Sequence, residues 1–372
     1  MKNTGFYSVG SKNFFSKLEA IKHSIENKLP IKWLFHNEIW EKFSKEKLHT
    51  LGADSLDSIY KQRAIQLREK YDYLILNYSG GADSHNVLMT FLNNNIRLDE
   101  IYVQYSHRVD RNLYVPNKDD LQASNIFSEF DYCIEPVLHE VKNLFPNVKI
   151  TFGDIFEENY LSLYNDNIIT DYHGHYNGSF EILRQSVYSS TIDNLTDKGK
   201  KVADIFGIDK PNILFKDNKF FIFFADNITS VGSKTYLNKD ISSELFYWAP
   251  DFPSIVFEQA FKLYTYFCSN KKLLNEISKE SYYEFNPNRI DWLRELTIDL
   301  IYSTWDYKFQ VRKPENFNIF GRTRDIAYIK ENTKFKNYLE RHQFYYRDLK
   351  KYQDSIIFKI YPSPAYFIGD LK

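Results

Sequence analysis

Tyr73-Leu74-Ile75-Leu76-Asn77-Tyr78-Ser79-Gly80-Gly81-Ala82-Asp83-Ser84 runs from one kind of hydrophobic periodicity into another. Leu74, Ile75, Leu76 and Tyr78 form a short apolar run, the pattern of a strand buried on both faces. Beyond the glycines, Val87, Leu88, Met89 and Phe91 recur at helical spacing. The stretch therefore predicts strand, tight turn and helix. Gly80 and Gly81 let the backbone adopt positive φ and approach a ligand closely. The first helical turn behind them carries unpaired amides at the positive end of a helix dipole. Such a turn binds phosphate, with the Ser79 and Ser84 hydroxyls as further donors and Asp83 as the residue to hold a magnesium ion. No lysine follows the glycines, which separates the loop from the Gly-Lys-Ser/Thr type, and a dinucleotide fingerprint would need a third glycine.

Outward from this loop, strand and helix patterns alternate. Strands are expected at 100–105, 148–152 and 167–171, and helices at 83–94, 119–130 and 135–145. Alternation of this kind implies crossover units and a mostly parallel α/β sheet covered on both faces. Residues 1–70 read as a helical segment, with helices at 11–28 and 54–70, the second capped by Asp54 or Ser55. From Ser179 to Gly207 the pattern is again helical, with Lys198, Lys200 and Lys201 in the second helix. A hairpin is expected next, Ile213 to Lys216 and Lys219 to Phe224 flanking Asp217-Asn218. Beyond Ser242 the chain reads as mainly helical and aromatic, broken by Pro250, Pro253, Pro287 and Pro314. The expected organisation is a helical segment at 1–70, an α/β nucleotide-binding domain at 71–240 and a mainly helical domain at 241–372.

Ser-Gly-Gly-x-Asp-Ser after a strand resembles the pyrophosphate loop of the N-type ATP pyrophosphatases, with all six positions matched over a region of similarity from 71 to 106. That superfamily includes the synthetase domain of asparagine synthetase, NAD and GMP synthetases and tRNA-modifying ligases. The resemblance implies a parallel-sheet, adenine nucleotide alpha hydrolase-like core with helical additions at both ends. It also implies cleavage of ATP to AMP and pyrophosphate, with a substrate activated as an adenylate for attack by a nitrogen or other nucleophile. Ser79, Gly80, Gly81, Asp83 and Ser84 would then hold phosphates, Asp83 would also bind magnesium, and Val103, Gln104 and Ser106 at the end of the second strand would receive adenine.

Other residues follow from the chemistry of nucleotidyl transfer, which is mainly positioning and electrostatics. Arg184 and Lys210 are candidates for stabilising the departing pyrophosphate, Lys210 from the turn Gly207-Ile208-Asp209-Lys210-Pro211. His173 and His175, at an expected strand end, could border the site, although no cysteine or further histidine lies near them for a metal. Residues 330–352 mix Lys and Arg with Phe and Tyr, a pattern that fits a solvated amphipathic helix better than a nucleic-acid surface.

Composition removes several classes. The 372 residues are 43% hydrophobic and 17% aromatic, enough for a sizeable core rather than a disordered chain. Forty-eight basic against forty-nine acidic residues give a charge of −1, so no global field recruits nucleic acid or an anionic membrane. Cys133 and Cys268 are far apart, which argues against a disulfide scaffold; set against the resembled superfamily, two isolated cysteines do not suit its thiolation enzymes, and no cysteine follows Cys268 where the related sulfonucleotide reductases need one. The glutamine-dependent asparagine synthetases that the loop resembles begin with a glutaminase domain and its nucleophilic cysteine; with Lys2 at that position, this chain alone is not expected to hydrolyse glutamine. The expected partner is a small-molecule substrate in the cytoplasm, away from membranes. A ligase acting on nucleobases or tRNA and a non-catalytic nucleotide-binding module are the alternatives, and self-association stays open.

Overall fold

The computed structural model describes residues 5–14, 17–35, 55–104, 130–153, 194–208, 210–226, 241–249, 251–274, 291–306 and 361–371. The chain begins with strands β1 (Gly5–Val9) and β2 (Lys12–Phe14), helix α1 (Lys17–Asn27) and strand β3 (Ile31–Phe35). Helix α2 (Leu56–Lys70) starts at Ser55, whose hydroxyl accepts the Ser58 amide at 3.2 Å. Its apolar face, including Leu56, Ile59, Tyr60, Ala64 and Leu67, is buried. Strand β4 (Tyr73–Asn77) follows directly, with Leu74, Ile75 and Leu76 all sealed from solvent.

From β4 the chain continues through α3 (Ala82–Asn93), β5 (Glu100–Gln104), a π-helical turn at Phe130–Ile134, α4 (Glu135–Leu144) and β6 (Lys149–Gly153). It then returns to the other side of β4 with β7 (Val202–Phe206) and later β10 (Ile241–Leu245). The resulting sheet has order β10-β7-β4-β5-β6, and every pairing is parallel. Its first strand lies in the centre, and the direction of winding reverses between β4 and β7. In open sheets of this kind the crevice for a ligand opens at that reversal, outside the carboxyl ends of the strands. The loops after Asn77 and Phe206 leave the sheet side by side there, since those two residues are register partners.

Between β7 and β10 stands the hairpin β8 (Asn212–Lys216) and β9 (Lys219–Phe223). Asp217 and Asn218 both adopt left-handed conformations, φ 51 and 55°, the two-residue turn whose twist suits a hairpin. Helices α5 (Ser254–Ser269) and α6 (Asp291–Ile301) follow, and β11 (Tyr366–Asp370) closes the hairpin into a three-stranded sheet by pairing with β9. One hydrophobic core runs from Tyr7 and Trp33 through β4, α3 and the hairpin to α5, α6 and β11.

Two expectations are corrected. Residues 11–28 are not one helix: Gly10, at φ +60°, turns the chain between β1 and β2, and β2-β1-β3 form an antiparallel sheet that α1 accompanies. Alternating burial along Gly5–Val9 is the strand signal that the helical reading of 1–70 overlooked. Lys198, Lys200 and Lys201 lie in a turn around Gly199, φ +70°, and the stretch read as helix up to Gly207 instead contains β7, buried at all five positions. Beyond 241 the described residues form β10 and β11 as well as α5 and α6. The expected strand at 167–171, nearly all of the helix at 119–130 and the segment 330–352 lie outside the described residues.

Three distant segments are tied together at Asp226, which is buried. Its carboxylate accepts the Tyr7 hydroxyl at 2.7 Å and the Tyr361 amide at 3.1 Å. A hydrogen bond to a buried carboxylate contributes more than a neutral one. Tyr7→Phe is expected to lower unfolding free energy by about 1.5–3 kcal/mol, read from urea denaturation with an unchanged m-value.

Candidate functional site

The loop between β4 and α3 is built by two glycines with different roles. Gly80 has φ +77°, and a Cβ there would come within 2.7 Å of Ile134 Cγ1 and 3.2 Å of Cys133 Cβ. Both the conformation and the packing against the π-helical turn require glycine. Gly81 is extended, φ −81° and ψ 161°, and a Cβ on it would meet only the Ser79 hydroxyl at 3.6 Å. The expectation that both glycines use positive φ therefore holds for Gly80 alone. Gly81 instead caps α3 without a side chain, so no capping hydroxyl competes for the amides of the first turn.

The serines brace this turn from within. Ser84 Oγ donates to the Gly81 carbonyl at 3.1 Å and accepts the Ser79 amide at 3.2 Å, and the two hydroxyl oxygens are 3.2 Å apart. Ser84 is buried whereas Ser79 is exposed at the mouth of the loop. Of the two hydroxyls expected on phosphate, Ser79 is the one presented outward. Val103, buried, and Gln104 end the neighbouring strand β5 just past the last β4 register pair, and the Tyr78 amide donates to the Tyr102 carbonyl at 2.9 Å. Arg184, Ser106, His173 and His175 lie outside the described residues.

Lys210 and Asp83, singled out separately, come together across 127 positions of sequence. The Lys210 ammonium lies 3.0 and 2.9 Å from the two carboxylate oxygens of Asp83. The lysine side chain is 8% exposed and the aspartate 22%, so the carboxylate is the more exposed partner. Gly207 makes this approach feasible: a Cβ on it would lie 2.9 Å from both the Asp83 carbonyl oxygen and Ser84 Cα. Its signal in the sequence was a glycine directly after an apolar run, hidden because that run was read as helix.

No local pattern in the sequence marks the aromatic support behind Asp83. The Tyr302 hydroxyl donates to Asp83 Oδ1 at 2.7 Å, and the Tyr247 hydroxyl donates to the Asp83 carbonyl at 2.8 Å. Tyr60 packs edge-on against Tyr247, donates to the Ile301 carbonyl at 2.9 Å and accepts from Gln259. Burial raises the three phenols well above their ordinary range, and the negative charge of Asp83 adds to the effect, so all three are neutral donors.

Asp83 is the carboxylate a magnesium ion would take, and among the described residues no group of three acidic, histidine or cysteine side chains could hold a metal. The fit is that of an ion which takes one protein carboxylate and completes its shell from phosphate and water. Such an ion would share Asp83 with Lys210. No helix among the described residues is long and apolar enough to cross a membrane.

The unequal glycines give a direct test. Gly80→Ala is expected to destabilise the fold by at least about 1–2 kcal/mol from its conformation alone, and further through Ile134, whereas Gly81→Ala should be close to neutral. Chemical denaturation of both variants checks the contrast.

The chain matches no protein-family model and no curated protein sequence. The functional reading therefore rests on the loop, the lysine and the sheet order described above.

Proposed function

We propose that this chain is an ATP-dependent enzyme that forms AMP and pyrophosphate, adenylating a small substrate for amide or other C–N bond formation. The observation that carries the reading is the meeting of Lys210 with Asp83 beside the Gly80 turn at the head of α3. A helix start, a presented hydroxyl on Ser79 and a nearby ammonium are the groups a polyphosphate needs. The central position of β4 and the reversal between β4 and β7 support an adenine nucleotide alpha hydrolase-like core of the N-type ATP pyrophosphatase superfamily.

In this reading the β and γ phosphates lie against the turn and the first amides of α3. Lys210 stabilises the charge that grows on the departing pyrophosphate, with Arg184 as the further candidate cation. Magnesium held through Asp83 would offset the charge of the polyphosphate. A substrate oxygen attacks the α phosphorus, the bond to the bridging oxygen breaks, and pyrophosphate leaves. An amine or ammonia then displaces AMP and loses a proton. The strand end Val103–Gln104 faces the adenine side. A cytoplasmic location and a small-molecule acceptor complete the proposal.

A second reading, a nucleotide-binding module without turnover, draws on the carboxylate of Asp83 being engaged by both Lys210 and Tyr302. The full chain incubated with magnesium, α-labelled ATP and a metabolite pool should release AMP and pyrophosphate. Release of ADP would contradict the enzyme reading, and tight binding without turnover would favour the module. Lys210→Gln is expected to lower AMP release by roughly a hundred-fold or more, the loss typical of one charge-stabilising donor. Asp83→Asn should abolish it, with circular dichroism unchanged for both.

A further inference from the structure

The part of the chain after α6 reaches back onto the first turn of α3. Tyr302 donates to Asp83 Oδ1 at 2.7 Å, the oxygen that also faces Lys210 at 3.0 Å. Thr304 donates to Asn86 Oδ1 at 3.1 Å, and the Trp305 ring meets His85 edge-on with centroids 5.5 Å apart. Tyr302 packs on Tyr247 at 5.5 Å between centroids, and Tyr247 accepts from Asn86 at 3.1 Å while donating to the Asp83 carbonyl. Tyr247, just past β10, and the residues after α6 thus hold the first turn of α3, and Tyr302 is the one of them that donates to the Asp83 carboxylate. Packing alone would be served by phenylalanine at position 302; the hydroxyl is spent on the carboxylate.

We propose that Tyr302 is a positioning residue for the phosphate site, a second donor on Asp83 that allows Lys210 to leave this carboxylate for an incoming polyphosphate. The inference rests on the nucleotide reading above. An anionic ligand that recruits the Lys210 ammonium must draw it from a carboxylate largely removed from water. The cost of that exchange grows as the carboxylate loses donors. The phenol is present before and after the exchange and lowers its cost, and lysine, a compact ammonium on a flexible stem, is suited to re-aim. Because burial holds Tyr302 neutral, it contributes a donor without competing for the phosphate as a cation.

The test is ATP binding to the full chain, measured calorimetrically with EDTA present so that no metal reports on Asp83. Tyr302→Phe is expected to weaken metal-free ATP binding about ten-fold, the loss of one donor to a charged group. In an Asp83→Asn background, where the Asp83 charge no longer holds Lys210, the same substitution should change affinity by less than about two-fold. A role in packing alone would give the same loss in both backgrounds, and that result, or equal binding by Tyr302→Phe and wild type, overturns the proposal. Asp83→Asn alone should tighten metal-free binding several-fold by releasing the lysine; unchanged or weaker binding overturns it even if Tyr302→Phe does not fold. A wild-type chain that binds no ATP overturns the nucleotide reading and the proposal together, whereas wild-type binding with additive losses removes only the role of Tyr302.

Discussion

An ammonium and a carboxylate withdrawn from water must meet, or one of them must give up its charge. Lys210 and Asp83 meet at 2.9 Å, and much of the surrounding architecture is what makes that meeting feasible. The lysine belongs to the loop after β7 and the aspartate to the first turn after β4, so the contact requires these two strands to be neighbours. Their in-register pairing from Tyr73 and Val202 to Asn77 and Phe206 releases both loops at the same level of the sheet. Gly207 then lets one backbone pass against the other where any side chain would collide with the start of α3. An interaction between two side chains thus depends on strand order, on register and on one missing Cβ.

The same contact explains why the support for Asp83 consists of phenols. A further cation would lock the carboxylate into a permanent ion pair, and a further carboxylate would repel it. Tyr302 and Tyr247 supply neutral donors, kept neutral by burial and by the negative charge beside them. The Tyr302 hydroxyl restricts where the carboxylate can turn, the Tyr247 hydroxyl holds the Asp83 main-chain carbonyl, and neither changes the net charge of the site. The partial exposure of Asp83, against the near-complete burial of Lys210, leaves the acidic member of the pair nearer to solvent.

How much of this was legible in the sequence depended on whether the signal was local. The β4 strand, the Gly80 turn and α3 were readable because apolar periodicity changes abruptly at the glycines. The hairpin was readable from Asp217-Asn218, two residues that tolerate left-handed backbone between apolar runs. Strand β7 was missed because Asp204 interrupts its apolar run and lysines precede it; in the fold Asn77 donates to Asp204 across the sheet, which makes a buried acid tolerable there. Strand β10, Ile-Ser-Ser-Glu-Leu, reads as polar, yet Glu244 is held by Arg63, Lys70 and the Tyr71 hydroxyl as part of the sheet edge. Of the site residues, the course of the loop was legible but not the extended Gly81 or the inward Ser84, whereas Lys210 could be named but not placed.

The tyrosines had no local signal at all, and the reason is physical. Tyr60, Tyr247 and Tyr302 stand on α2, after β10 and after α6, and each is an ordinary buried aromatic within its own segment. Only the packing of α5 against α2 and α6 brings Gln259, Tyr60 and Ile301 into one hydrogen-bonded chain behind the loop. Since that chain ends on the neighbours of Asp83, the geometry of the first turn of α3 is set partly by residues more than two hundred positions later. A substitution that loosens α6 should therefore be felt at the loop before it is felt in the sheet, whose strands are held by their own ladder of backbone hydrogen bonds. The loop sequence sets the course of the turn, and the packing of the helices after β10 sets how firmly the Asp83 carboxylate is held.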